Sequence, residues 1–315
     1  MAHIVLTRWL GLPVFLTVAT LGAAACALGG RPVLSRGEIA ELWQEPTDLE
    51  RRDLMYGPGG RGLAPDAKAS YTMLEVDTKG FSPGYDVRDD EGRKWSVKLG
   101  PEAQTEVVAS RLLWAAGYHQ PTVYYVPRWT LSDKGKTTVQ SGSRFRLESD
   151  RKNAGEWSWR NNPFIGTRPF EGLFVLMVMI NNWDLKSSQN TVYRVQADGD
   201  DARNIYVVKD LGASFGRTNW LFPGTRNDPD GFEREPFVRR VEGNRVEFYY
   251  QGGWREPHVT AGAAPADVRW ISDLLARLSP QQLNDAFRAG GYGEADSARF
   301  LKRLREKIAE GQKIG

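Results

Sequence analysis

The sequence is poorest in the residues that staple or metallate a fold. It holds one cysteine, Cys26, and three histidines, His3, His119 and His258, among 315 residues. A single thiol excludes a disulfide framework and a thiolate metal site, and His119 and His258 are too few and too far apart for a zinc centre. An excess of one charge is missing too: 42 basic against 39 acidic residues leave a formal +3, so there is no global field for nucleic acid or a membrane surface. No Gly-rich stretch leads into the Lys-Ser/Thr of a P-loop, and no segment repeats. What is there is an ordinary globular composition, 41% hydrophobic and 26% charged, long enough to bury a large core.

One long uncharged run, 9–30, follows Arg8. Its apolar part ends in Gly22-Ala23-Ala24-Ala25 before Cys26, so residues 1–25 read as an export signal. Small residues ahead of the only cysteine resemble the lipobox of bacterial lipoproteins. That resemblance implies lipidation of Cys26 and an exported protein held to the membrane on its periplasmic or extracellular face. Ala23 stands where such boxes usually carry Leu, so cleavage after Ala25 and an uncleaved anchor stay open, although Pro13 weakens a permanent span.

Residues 26–68 read as a tether with a short helix. Ser35-Arg36-Gly37-Glu38 has the capping-box form ahead of Ile39, Ala40, Leu42 and Trp43, and Gly57-Pro58-Gly59-Gly60 breaks whatever follows. Alternating patterns then predict three short antiparallel strands at 71–76, 85–88 and 95–99. A helix opened by Pro101 and Glu102 should reach Tyr118, with strands at 123–129 and 143–147 after it. Pro169 precedes a run to Ile180 that is apolar on nearly every side, which predicts a buried central helix. A hairpin over 191–195 and 205–208, a second around Gly243-Asn244, and a helical tail from Ala266 complete the reading. The class is α+β in two lobes: a small antiparallel β-rich lobe over 69–150 and a mainly helical lobe over 151–315.

Phosphoryl transfer needs a cation on the phosphates, oxygen ligands for a metal, and a carboxylate that orients the acceptor hydroxyl. The chain carries such groups in order. Lys98 lies on the third strand, with Glu106 on the next helix to pair with it and Glu102 as the alternative. Asp184-Leu185-Lys186-Ser187-Ser188-Gln189-Asn190 follows the buried helix and resembles the kinase catalytic loop Asp-Leu-Lys-x-x-Asn. Asp210-Leu211-Gly212 ends the next apolar strand and resembles Asp-Phe-Gly. The resemblance is to the atypical branches of the protein-kinase-like superfamily, such as secreted Golgi kinases, phosphoinositide kinases and HipA-type kinases, over about 71–300.

It implies a two-lobed kinase-like fold that binds ATP or another nucleoside triphosphate with Mg2+ or Mn2+. Asp184 would be the base and Lys186 would steady the transferring group. Lys98, held by Glu106, would meet the phosphates under a loop with Gly80, Ser82 and Gly84. Asp210 would hold the metal with Gln189 or Asn190, which stand five and six residues after Asp184 where the family has one Asn at five. Trp183-Asp184 replaces Arg-Asp, and the glycine loop is poor. Two readings follow: a phosphotransferase acting on a hydroxyl of an envelope protein, glycan or lipid, or a catalytically degenerate lipoprotein that binds and scaffolds.

Three further patterns have competing readings. Gly212-Ala213-Ser214-Phe215-Gly216 matches a hydrolase nucleophile elbow, but 217–223 lacks the helical period such an elbow needs. Trp157 and Trp159 either line a groove or pack under a loop. Arg234, Arg239, Arg240 and Arg245 either receive an acidic acceptor or form a solvated basic hairpin.

Overall fold

The computed structural model describes residues 31–78, 82–149, 151–196, 202–219, 223–252 and 263–314. The expected signal, Cys26, Gly80 and His258 lie outside the described residues. The Ser35–Glu38 capping box forms and starts α1 (Arg36–Ala40). The stretch after it is not the tether expected from its Gly/Pro content. Leu42, Leu49 and Leu54 are buried in the main core, and the backbone makes 3-10 turns at Leu49–Arg51, Gly57–Gly59 and Arg61–Leu63. The carbonyl of Leu54 accepts from Arg111, that of Gly60 from Tyr124, and those of Leu49 and Arg52 from Gln282. A leucine every few residues is enough to dock the segment, and its glycines let it lie close. Gly57, at φ 68, sits where a Cβ would overlap Arg111.

The first lobe holds β1 (Ser70–Asp77), β2 (Gly84–Arg88), β3 (Lys94–Leu99), α2 (Glu102–Ala115), β4 (Val123–Val126), β5 (Trp129–Asp133), β6 (Lys136–Gln140) and β7 (Ser143–Leu147). Its seven strands form one sheet in the order β4-β7-β3-β2-β1-β5-β6. The expected strand over 123–129 breaks at Pro127, which cannot donate to a ladder. Trp129 then begins β5, which runs parallel to β1, so the sheet is mixed rather than purely antiparallel. The β5–β6 hairpin turns through Lys134 and Gly135, both at positive φ; Lys-Gly lacks the Asn-Gly signature and sequence reading missed it. Tyr71, Trp95, Trp129 and Phe145 pack edge to face on one side of this sheet.

The second lobe opens with β8 (Lys152–Gly155), then α3 (Arg168–Met179), β9 (Asn190–Gln196), β10 (Ala202–Val208), α4 (Pro229–Arg234), β11 (Val238–Glu242), β12 (Arg245–Phe248), α5 (Pro265–Ala276), α6 (Pro280–Ala289) and α7 (Glu294–Gln312). Strands β10-β9-β8 form an antiparallel sheet. Thr167 caps α3, whose apolar surface is buried among α5, α7 and the aromatic residues around them. Trp157 and Trp159 belong to this core, where Trp157 Nε1 donates to the Val207 carbonyl. The packing reading therefore holds for both.

Helix α2 shows little amphipathic character because it has no solvent side to speak of. It lies between β3, β4 and β7 on one flank and α6 on the other, with the 3-10 turn at Gly57–Gly59 against it. A charged residue on such a helix must find its partner inside the protein. Among the described residues no helix is long and apolar enough to cross a membrane.

The packed role of the 42–63 segment is tested by Leu49→Ala, which should cost about 2–5 kcal/mol in urea unfolding if the side chain is core. A change indistinguishable from zero would restore the tether reading.

Candidate functional site

Register sets the first part of the site. Lys98 lies directly opposite Gly84 on β2 and Arg144 on β7, while Ser96 lies opposite Asp86 and Arg146. With a side-chain period of two, Asp86, Ser96, Lys98, Arg144 and Arg146 share one sheet face. Gly84 belongs to the close strand approach, since a Cβ there would run into the Val97 carbonyl.

The Lys98 ammonium lies 2.9 Å from Asp210 Oδ2, 3.2 Å from Glu106 and 3.4 Å from Glu102. Both sequence-predicted partners are therefore present, and Asp210 joins them across the lobes. Glu106 is buried and is shared further with Arg144 at 2.9 Å and Arg146 at 3.6 Å. Burial pushes the Arg144 guanidinium down to about 10 in spite of Glu106 beside it. Burial alone would raise the Asp210 carboxyl, but Lys98, Arg144 and Arg146 outweigh it and hold the group at about 2.

The second part is the turn after α3. Asp184 Oδ2 accepts from Lys186 Nζ and from Gln189 Nε2, each at 2.8 Å, and the Asp184 amide donates to Asn182 Oδ1 at 3.2 Å. The Gln189 carbonyl accepts from the amides of Lys209 at 2.8 Å and Asp210 at 3.3 Å. One residue thus ties Asp184 to Asp210, by side chain and by backbone. Asn190 starts β9 with its side chain on the opposite side, donating to the Trp157 carbonyl at 3.0 Å inside the core. This corrects the Asn190 alternative: the chain leaves a 3-10 turn at Ser187–Gln189 and starts β9 at Asn190, so the Gln189 side chain reaches Asp184 while that of Asn190 enters the core.

Ser82 Oγ donates to Glu102 at 2.9 Å, beside Lys98. Sequence reading missed Arg226, which pairs with Glu102 and stacks 4.8 Å from the Trp183 ring centroid. Nothing local marks it, because both partners are remote in sequence. Arg144 and Arg146 were also missed, though their alternation on a strand opposite Lys98 and Ser96 was the available sign.

A cleft of about 710 Å³ runs between the two sheets, lined by Val76, Asp86, Ser96, Arg146, Tyr193, Val207 and Lys209 among others. Ser96 is two residues from Lys98 on the same face, and Lys209 adjoins Asp210. Burial, with Glu148, Asp77 and Glu75 adding to it, raises the Asp86 carboxyl. The groups linked here offer hard oxygen: the Asp210 and Asp184 carboxylates, joined through Gln189, whose backbone carbonyl accepts from the Asp210 amide and whose side-chain amide donates to Asp184. Among the described residues no group of three or more His, Cys, Asp and Glu side chains could hold a metal. The set fits Mg2+ or Mn2+, which take one or two carboxylates and complete their shell with phosphate oxygens and water.

The other patterns resolve without chemistry. Ser214 is buried; its hydroxyl donates to the Leu211 carbonyl and accepts from Asn182, and no helix begins directly after it among the described residues, so it is not an exposed nucleophile. Arg240 pairs with Glu242 and Glu247 on the exposed β11–β12 hairpin, and Arg234 pairs with Asp230. These arginines do not converge on Asp184.

No protein-family model and no curated protein sequence matches the chain. Among solved structures it is similar to the Helicobacter pylori proinflammatory kinase CtkA, at 11% identity and a TM-score of 0.45, covering 76% of this chain and 95% of that one. It is also similar to the Rio2 kinase of Chaetomium thermophilum, solved with ADP/Mg2+ and phosphoaspartate, at 12% identity and a TM-score of 0.31, covering 76% and 72%. The golgi casein kinase matches at 9% identity and a TM-score of 0.35, covering 78% and 72%.

Two measurements test the electrostatics. Glu106→Gln leaves the buried Arg144 without its counter-charge and should lower unfolding free energy by about 3–5 kcal/mol; an unchanged midpoint would mean the arginine is satisfied elsewhere. Asp210 has a folded pKa of about 2, below its ordinary 3.8, so it contributes stability above pH 3.8 that is lost as pH falls towards 2. The stability difference between wild type and Asp210→Asn should therefore shrink across that window, and a constant difference would contradict the assignment.

Proposed function

We propose that the protein is a nucleotide- and metal-dependent phosphotransferase of the atypical kinase type, moving the terminal phosphoryl group of ATP or another nucleoside triphosphate to a hydroxyl. The observation that carries this reading is the convergence of Lys98, Glu106 and Asp210 at salt-bridge distance, with Gln189 joining Asp210 to Asp184. Those groups come from four separate stretches of chain.

In this reading Lys98 leaves Asp210 for the phosphate oxygens while Glu106 keeps hold of it. Asp210 and the Gln189 amide oxygen would hold the metal, which when bound neutralises charge on the phosphates. Asp184 accepts the proton of the acceptor hydroxyl as its oxygen attacks phosphorus and the nucleoside diphosphate leaves. Lys186, at 2.8 Å from Asp184, meets the charge that builds on the transferred group. Ser82 gives up Glu102 to donate to phosphate. Lipidation at Cys26 would hold this site at the membrane, with an envelope protein, glycan or lipid as the acceptor.

A second reading, nucleotide or ligand recognition without transfer, is favoured by one feature. The row Asp86, Ser96 and Arg146 gives the cleft a charged roof where an apolar surface would grip a flat base.

Thermal shifts of the full chain in detergent with ATP and Mg2+ or Mn2+ should show a metal-dependent rise that Asp210→Ala abolishes. Label from the γ-phosphate should reach an acceptor in wild type and fall by about a hundredfold or more in Asp184→Asn. Binding with no transfer, and an Asp184→Asn variant identical to wild type, would leave only the recognition reading. No binding at all would defeat both.

A further inference from the structure

We infer that Lys307, far from the cleft in sequence and buried in α7, is a positioning residue that holds the Asp184 turn and the Asp210 turn in one register. The inference rests on the phosphotransferase reading of that site. Lys307 has no exposed surface. Its ammonium donates to the Met179 carbonyl at 3.1 Å and to Asn181 Oδ1 at 2.6 Å, and it sits 4.5 Å from the Phe232 ring centroid. No carboxylate forms an ion pair with it among the described residues. Burial drives this ammonium well below the usual lysine range; Arg303 adds to the shift and Glu235 and Glu310 oppose it.

Packing alone does not account for a lysine here. A methionine would fill similar volume without stranding a charge, and a buried ammonium is costly unless its hydrogen bonds do something an apolar group cannot. What they do is visible one bond further on. Met179 ends α3, and Asn181 stands three residues before Asp184 with a left-handed backbone at φ 52. The other end of the Asn181 amide donates to the Gly216 carbonyl at 2.6 Å.

Around that bond the two turns are zipped together. The Phe215 amide donates to the Ile180 carbonyl at 2.8 Å, the Trp183 amide to the Ala213 carbonyl at 3.3 Å, and Asn182 Nδ2 to Ser214 Oγ at 2.9 Å. Residues 180–183 lead into Asp184, and 213–216 follow Asp210-Leu211-Gly212. Lys307 is therefore the donor that orients Asn181, and Asn181 is the clasp between the two turns. Without it the spacing of Asp184, Gln189 and Asp210 depends on weaker neutral bonds. Removing such a supporting partner from a metal site typically costs about 10–100-fold in metal affinity.

The test uses the full chain in detergent, ADP as the probe, and calorimetric titration in Mn2+ and in EDTA. Lys307→Met should leave ADP affinity in EDTA within about threefold of wild type and reduce the Mn2+-dependent gain about tenfold or more. A merely structural role would lower both together. Asn181→Gly keeps the left-handed backbone while cutting the clasp, and should reproduce the loss of the Mn2+ gain even if Lys307→Met does not fold. A folded variant of either kind that keeps the wild-type Mn2+ gain overturns the inference. If wild type takes up no ADP under either condition, the phosphotransferase reading falls instead. Amide exchange then decides the clasp: Asn181→Gly should speed exchange at 180–184 and 213–216 together, and acceleration in one segment alone overturns it.

Discussion

Lys98 places one ammonium among three carboxylates, two from the helix that follows its strand and one from the far lobe. In water such an arrangement would be worth little; between packed layers each charge depends on the others for its solvation. Glu106 is held in the interior by Lys98, Arg144 and Arg146, which surround it. Asp210 stays charged because Lys98 reaches across the lobes to it. The relation of the two lobes is therefore an electrostatic one as well as a packing one, and a ligand that draws Lys98 away from Asp210 must replace the charge it removes. A polyphosphate with a divalent cation does this on both sides at once.

The surroundings keep that cluster from relaxing. Helix α2 cannot swing freely, since β3, β4 and β7 hold one side while α6 and the docked 42–63 segment hold the other. Glu102 adds a link of its own, touching Ser82 just before β2 and Arg226 in the segment after Asp210. Lys307 holds the lower side by fixing Asn181. Rigid support of this kind is what a site built on few charged groups requires, because each must stay within a fraction of an ångström of its partner.

Sequence reading reached the parts of this site that strong local patterns mark. Lys98 on a third strand, Glu106 on the next helix, Asp184 after a buried helix and Asp210 after an apolar strand all sit where periodicity put them. It fell short where geometry turns on a single residue. Gln189 and Asn190, chemically alike and adjacent, were both left open, and the start of β9 at Asn190 separates them, since the Gln189 side chain reaches Asp184 and that of Asn190 does not. Pro127 split one expected strand and made the sheet mixed. The Gly/Pro-rich stretch near 57–63 looked like a linker because composition does not reveal that Leu49 and Leu54 have a core to enter. Arg226 and Lys307 were illegible, since their partners lie far away in the chain and an isolated Lys on a helix ordinarily reads as a solvated one.

The claim on which all of this rests is that Asp210 and Gln189 bound one side of a ligand site whose other side is Lys98. Anomalous scattering from Mn2+ in crystals grown with a non-hydrolysable nucleoside triphosphate examines it directly. The account predicts a manganese peak bridging Asp210, the Gln189 amide and the phosphates, with Lys98 shifted from Asp210 onto phosphate oxygen. Manganese bound elsewhere, or nucleotide outside the cleft with the Lys98–Asp210 pair intact, would contradict it.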